Sequence, residues 1–389
     1  MRSIARKIVV ATALILVAAV LYLSFWPVPV EPVSWQASAP PGYIGPHAQN
    51  TRLASLRTID TGSETGPEHI VLGPDGQLYA AMKSGSVLRM DPDGGKRESF
   101  VNTGGRVLGF DFDAQGRMIA ADCIKGLLAI TADKQVTLLT DHVSVDDRIG
   151  YANSVVVAPN GTIYFTDSST RFSPADWDGS FGASVLDIME QSATGRVLAY
   201  APATGTTRIV ARGFAFANGI ALSADGQTLF VNETGRYRVW KIDGRASGLD
   251  ISSGSPQAKI LLDNLPGYPD NLMRGREGRI WVGLVKPRNP AADSLAQKPS
   301  LRKVLLRLPP SLLPLGKPYG HVFAIDEEGR VTADLQDPSG AYPEATGATE
   351  IADRLYIQSL NAHEIGWLPY ENATPQPTAS TKEQRTTGL

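Results

Sequence analysis

Four short polar segments carry the residue types that could do chemistry: Gly66-Pro67-Glu68, Tyr151-Ala152-Asn153-Ser154, Ala217-Asn218-Gly219 and Pro269-Asp270-Asn271. Each stands shortly before a glycine-containing turn and a β-rich run, at the same place in a repeated unit. At the inner ends of propeller blades, residues this far apart in sequence would meet on one axis. Their carboxylate and amide oxygens, with neither Cys nor His among them, suit a hard cation such as Ca²⁺. Taken singly, Asn218-Gly219 or Asp270-Asn271 reads equally well as an ordinary turn. The recurrence of four such segments favours a shared site.

The elements that must position them are strands. In one copy of the repeat, Gly73-Pro74-Asp75-Gly76 precedes Gln77-Leu78-Tyr79-Ala80-Ala81, and Ser86-Val87-Leu88-Arg89-Met90 follows. In another, Pro159-Asn160-Gly161 precedes Thr162-Ile163-Tyr164-Phe165-Thr166, and Gly195-Arg196-Val197-Leu198-Ala199-Tyr200 follows. Six copies of this turn–strand–turn–strand unit predict an all-β fold, a six-bladed β-propeller over residues 53–370. A β-sandwich accommodates six similar units poorly. The run Leu53-Ala54-Ser55-Leu56-Arg57-Thr58-Ile59 is the expected partner of the last copy, closing the ring. Insertions at 168–192 and 286–320 should project from a face of the ring. The apolar Pro309-Pro310-Ser311-Leu312-Leu313-Pro314-Leu315 in the second could touch membrane or substrate, or pack on its own domain.

The 389-residue chain is 42% hydrophobic and 20% charged, with a net charge of −2. That is ample for a large core and gives no basic face for nucleic acid. Its N-terminus differs. Ile8 to Trp26 is almost wholly apolar and long enough to cross a bilayer, with Arg2, Arg6 and Lys7 before it. This predicts a single-pass anchor over residues 1–26, its N-terminus cytoplasmic and the propeller on the periplasmic or extracytoplasmic side. A cleaved signal peptide is the rival, but such a core is shorter and ends in small residues rather than Tyr22-Leu23-Ser24-Phe25-Trp26-Pro27. Residues 27–52, rich in Pro, Ala, Gly and Ser, read as an extended stalk, and 371–389 as a disordered tail. Cys123, the sole cysteine, can form no internal disulfide and reads as a small core residue.

Further stretches follow one another along the chain: Gly105-Arg106-Val107-Leu108-Gly109-Phe110, Asp122-Cys123-Ile124-Lys125-Gly126-Leu127, Tyr164-Phe165-Thr166-Asp167-Ser168-Ser169 and Phe216-Ala217-Asn218-Gly219-Ile220. Gly267-Tyr268-Pro269-Asp270-Asn271 and Lys317-Pro318-Tyr319-Gly320-His321 come after them. Together they resemble the strictosidine synthase-like family, in its branch containing adipocyte plasma membrane-associated protein, with weaker similarity to paraoxonases and gluconolactonases. The resemblance implies a six-bladed propeller, an N-terminal anchor and one axial calcium whose ligand positions match Glu68, Asn153, Asn218, Asp270 and Asn271. It also marks departures. His69 and Ser154 stand where paraoxonases hold a second calcium with acidic residues, and Leu108 stands near their catalytic histidine. No glutamate in Glu344-Ala345-Thr346-Gly347-Ala348-Thr349-Glu350 aligns securely with the catalytic one of strictosidine synthase.

The expected function is calcium-dependent hydrolysis of a small-molecule ester or lactone, the metal stabilising a developing oxyanion. Candidate bases are Glu68, Asp270 or a loop histidine, of which His142 comes first among five. A non-catalytic binding propeller with a structural calcium is the alternative. A strictosidine-type condensing enzyme is a third.

Overall fold

The computed structural model describes residues 2–309 and 316–373. The apolar run from Pro310 to Leu315 and the tail 374–389 lie outside the described residues. The tail expected from 371 is instead a helical turn, Tyr370–Ala373, at its start.

Six sheets radiate from a central axis. Their inner strands are His69–Leu72, Val107–Phe112, Ala152–Val157, Ala217–Leu222, Gly267–Arg274 and Ala345–Ile351, defining blades 1 to 6 in chain order. Each blade is antiparallel and four-stranded, and the third carries one extra short strand, Leu249–Asp250. Blades pack face to face, so their middle strands are apolar without alternation: Ile163-Tyr164-Phe165-Thr166-Asp167 is buried throughout. Apolar layers fill the gaps between neighbours, as with Val197, Phe214, Ile220, Val231 and Trp240 between blades 3 and 4. Turns of the Pro-Asn-Gly kind reverse the chain between the first two strands. Gly161 holds a φ of +83° there with open space around it, so backbone geometry alone selects glycine.

The ring closes as expected. Arg57–Asp60 forms the outer strand of blade 6, pairing Ile59 with Ile365 and Asp60 with Glu364.

Helix α1, Arg2–Phe25, leads the chain. Its Ile4–Phe25 segment has mean hydropathy 2.7 over an 18-residue window and buries nothing against the protein. At 1.5 Å per residue it spans about 33 Å, enough for a bilayer's hydrocarbon core. Residues 27–52 contain no regular element beyond a turn at Gly45–His47. The segment is extended, but it does not stand off as a separate stalk. Val30 is fully buried, Val33 N donates to Glu190 O at 2.7 Å, and Trp35 N donates to Ala296 O at 3.2 Å. Prolines keep it from forming a helix, and its few large apolar side chains find partners on the propeller.

The two insertions form helices: α2 (Gly179–Glu190), then α3 (Pro290–Ser294) and α4 (Pro299–Leu306). Both insertions join the second and third strands of their blades. Strand register puts that connection at the end where the inner strand begins, since Ala152 pairs with Asp167 and Gly267 with Pro287. That is also the end where the polar segments lie.

Candidate active site in the axial cavity

Inner strands of blades 3, 4 and 5 break register at their axial starts, between Ala152 and Val155, Ala217 and Ile220, and Pro269 and Leu272. Bulges of this kind re-aim side chains, and they contain Asn153, Asn218, Asp270 and Asn271. A close approach supports the arrangement. A Cβ on Gly219 would lie 2.3 Å from Leu272 N and 2.5 Å from Asp270 O, so only glycine lets blades 4 and 5 meet.

The result is a cavity of about 320 Å³ on the axis, with Glu68, Asn153, Asn218 and Asp270 in its wall. Asn218 Nδ2 donates to Asp270 Oδ1 at 2.8 Å and to Thr234 Oγ1 at 3.2 Å, which fixes the amide. Its Oδ1 is buried and has no hydrogen-bond partner. Asn153 is oriented likewise, Nδ2 donating to Ser168 Oγ at 3.0 Å. Asn271, also expected as a ligand, is not among the residues of the cavity wall. Its Nδ2 donates to Glu68 O at 2.8 Å and Gln358 Oε1 at 3.2 Å, so it ties blade 5 to the backbone of Glu68. Asp270 and Asn271 both lie inside the register break between Pro269 and Leu272, which re-aims their side chains.

Both carboxyls are buried, and burial raises their proton affinity. For Asp270 the charge of Glu68 adds to burial and lifts the group well above the usual carboxylate range. For Glu68 burial outweighs the opposing pull of Arg106, whose Nη2 donates to Glu68 Oε2 at 2.6 Å. Two buried acids with raised proton affinity beside an unpartnered amide oxygen form a donor set that fits a hard divalent cation. Glu68, Asn153, Asn218 and Asp270 are the residues able to hold it.

His142 does not reach this site. It sits on a short hairpin, His142–Ser144 with Asp147–Arg148, its side chain 43% exposed and its Nδ1 2.7 Å from Asp141 Oδ1. It is absent from the cavity wall, so the loop leading into the Asn153 segment turns it outward. His69 points away from the axis, its Nε2 2.9 Å from Phe110 O in blade 2, and burial lowers its pKa to about 4. Leu108 packs in the apolar cluster beside the cavity.

Arg106, Lys83, Glu344 and Phe216 of the cavity wall were not singled out by type and spacing, whereas Tyr151 belongs to one of the four polar segments. Arg106 and Lys83 bring positive charge, and Glu344 adds a third carboxylate, 2.9 Å from Lys286 Nζ. Tyr151 and Phe216 form an apolar wall, with ring centroids 5.3 Å apart. Phe216 and Glu344 hold φ of +66° and +50°, a left-handed backbone that side-chain-bearing residues rarely adopt and that gathers at functional sites. Outside the axis, His47 of the 27–52 segment and His321 of blade 5 both contact Asp334 Oδ2 at 2.8 Å. Burial raises the proton affinity of Asp334, but the hydrogen bonds from His321 and His47 more than offset it and hold the carboxyl below its usual range.

A sequence profile of the SMP-30/gluconolactonase/LRE-like region matches residues 73–290, and a strictosidine synthase-like N-terminal profile matches 45–90. The Arabidopsis thaliana protein strictosidine synthase-like 4 is 32% identical over 349 residues, covering 85% of this chain and 87% of that one. The chain belongs to the strictosidine synthase-like family. Adipocyte plasma membrane-associated protein of Danio rerio is another family relative, 28% identical over 86% of this chain and 82% of its own. Among solved structures, a gluconolactonase from Xanthomonas campestris superposes with a TM-score of 0.57 at 20% identity, covering 88% of this chain and 98% of that one. Regucalcin from Agrobacterium tumefaciens, described as a calcium-binding protein, gives 0.55 at 16%, covering 81% and 93%. These neighbours show that this strictosidine synthase-like chain shares the propeller fold.

Asp187 of α2 is fully buried, and the nearby Ser169 hydroxyl only partly offsets the cost of its charge. Burial raises its pKa to about 7. A carboxyl whose folded pKa is raised contributes stability at low pH that is lost as pH climbs from the unfolded pKa to the folded one. Asp187→Asn should therefore stabilise the protein increasingly from pH 4 to 7, by roughly 1.4 kcal/mol per pH unit, and level off above. Urea denaturation of both proteins at several pH values checks this, and a difference independent of pH would contradict it.

Proposed function

We propose that this protein is a membrane-anchored, calcium-dependent hydrolase of esters or lactones. One observation carries the reading: the buried, unpartnered Asn218 Oδ1 stands in one axial cavity with the buried carboxyls of Glu68 and Asp270. When bound, the cation would supply a positive charge that polarises the substrate's carbonyl oxygen.

The chain's own residues supply the rest. Tyr151, Phe216 and Leu360 give the cavity apolar wall against which the body of an ester or ring can rest. The base that takes a proton from attacking water is one of the cavity carboxylates. Asp270 and Glu68, both buried in the cavity wall, are the candidates for this role. Water oxygen bonds to the carbonyl carbon, the carbon–oxygen bond to the leaving alcohol breaks, and the proton held by the carboxylate passes to that alcohol. Helix α1 fixes the enzyme at a membrane. Arg2, Arg6 and Lys7 before it favour a cytoplasmic N-terminus and an extracytoplasmic propeller.

The test is hydrolysis of a panel of lactones and aryl esters by the full chain, with calcium and with a chelator. Loss of turnover in chelator supports the reading. No turnover on any substrate, with calcium raising only the melting temperature, would point to a binding propeller with a structural ion. A second expectation concerns pH. The cation competes with protons for Glu68 and Asp270, whose folded proton affinities are raised, so neutral pH charges them at a cost that the cation relieves. The calcium-induced rise in melting temperature should be larger at pH 8 than at pH 5. Scanning calorimetry decides it, and an equal rise at both would mean that calcium binds elsewhere.

A further inference from the structure

The apolar helix, the two inserted helices and the axial cavity form one continuous assembly. At its base, Leu23 O and Trp26 O of the α1 exit accept hydrogen bonds from Arg307 at the end of α4, at 2.8 and 2.6 Å. Helix α4 is joined to α2 by Arg302 Nη1, which donates to Met189 O at 2.8 Å. Helix α2 then supplies Ser180, Phe181 and Ser184 to the cavity wall. A single apolar cluster runs through all of these. It holds Val28 and Val30 just past α1, Leu186 of α2 and Leu306 of α4, together with Tyr151 and Phe216 of the cavity.

The chain therefore leaves the apolar helix on the face of the propeller that carries the cavity. That face also carries exposed apolar side chains. Phe181, at the cavity wall, is 58% exposed, and Leu301 on α4 is 47% exposed. Lys286 Nζ lies 5.6 Å from the centroid of the Phe181 ring and pairs with Glu344, and Lys303 on α4 pairs with Glu31 at 2.7 Å. Exposed apolar side chains bordered by such paired charges suit the interfacial level of a bilayer. The turns at the other end of the blades carry Asp75, Gln115, Asn160 and Asp225 and are polar.

We infer that the cavity opens toward the bilayer in which α1 is anchored, with α2 and α4 lying on its surface, and that the substrate is an amphiphilic, long-chain ester or lactone delivered from the lipid. The acyl chain would pass Phe181 while the carbonyl reaches the axis. The orientation rests on the packing of α1, α4 and α2. The substrate class also rests on the hydrolase reading.

The test uses the full chain in phosphatidylcholine vesicles containing lipid spin-labelled near the headgroup. Cys123 is buried, so a fluorophore can be placed selectively on Ser300→Cys, on Leu301→Cys, or on Gln115→Cys at the opposite face. Strong quenching at 300 and 301 with little at 115 is expected. Equal quenching at all three, or none at 300 and 301, overturns the inference even where hydrolysis is seen. In the same vesicles, Leu301→Glu should slow hydrolysis of a long-chain lactone about tenfold while leaving a short, water-soluble lactone unchanged. Equal effects on both lengths overturn the lipid-borne substrate. No hydrolysis of either length overturns that substrate class together with the hydrolase reading, while quenching still decides the orientation.

Discussion

Asp270→Asn is expected to lower ester or lactone turnover about a thousandfold and to abolish the calcium-dependent rise in melting temperature. The side chain keeps its shape, and an asparagine Oδ1 can still accept from Asn218 Nδ2, so the blade 4–blade 5 contact survives. On the proposed reading, the substitution removes one of the two buried carboxylates that would hold the cation. The variant also removes a buried charge that repels Glu68. Without calcium it should therefore be at least as stable as the wild type at neutral pH. Turnover and melting curves with and without calcium check all of this. Retained calcium-dependent turnover would remove Asp270 from the chemistry.

Gly219→Ala should cost about 3 kcal/mol of stability. The new methyl would meet Leu272 N, Asp270 O and Asn271 C at 2.3 to 2.6 Å, all of them backbone atoms that cannot rotate away. Blades 4 and 5 must part, and the residues at that seam are Asn218 and Asp270. Calcium response should fall with stability. Gly161→Ala is the control, because its methyl meets open space and only a positive φ is strained, which should cost about 1 kcal/mol. Urea unfolding midpoints decide the comparison. Equal losses at the two positions would mean that the seam tolerates expansion.

The blades were legible in the sequence because each is a local object: a glycine turn between two β-branched runs, repeated. Ring closure by Leu53–Ile59 followed from the same logic, since an unpaired last blade demanded a strand. The axial placement of Glu68, Asn153, Asn218 and Asp270 was legible through the repeat as well. The tie that Asn271 makes from blade 5 to the backbone of Glu68 was not legible, because it depends on a bulge, and bulges leave no spacing signal. His142 misled because proximity in sequence to the Asn153 segment says nothing about which way a hairpin tips. Arg106 and Glu344 were hidden for another reason. They enter the cavity from loops and from strained backbone, and their types are common on any surface. The embrace of residues 27–52 by the propeller escaped composition, which registers many prolines but not that Val30 and Trp35 find pockets.

The strand that completes blade 6 has a consequence for how the protein is made. Arg57–Asp60 pairs with Glu364–Pro369, so the two halves of one sheet edge are separated by about 300 residues of synthesis, on the order of 15–60 s at ordinary elongation rates. During that interval the early strand waits close behind the apolar helix with its edge exposed to other chains. A ribosome that stops before residue 364 releases a ring that cannot shut. The ring can therefore be complete only once the last strand has emerged.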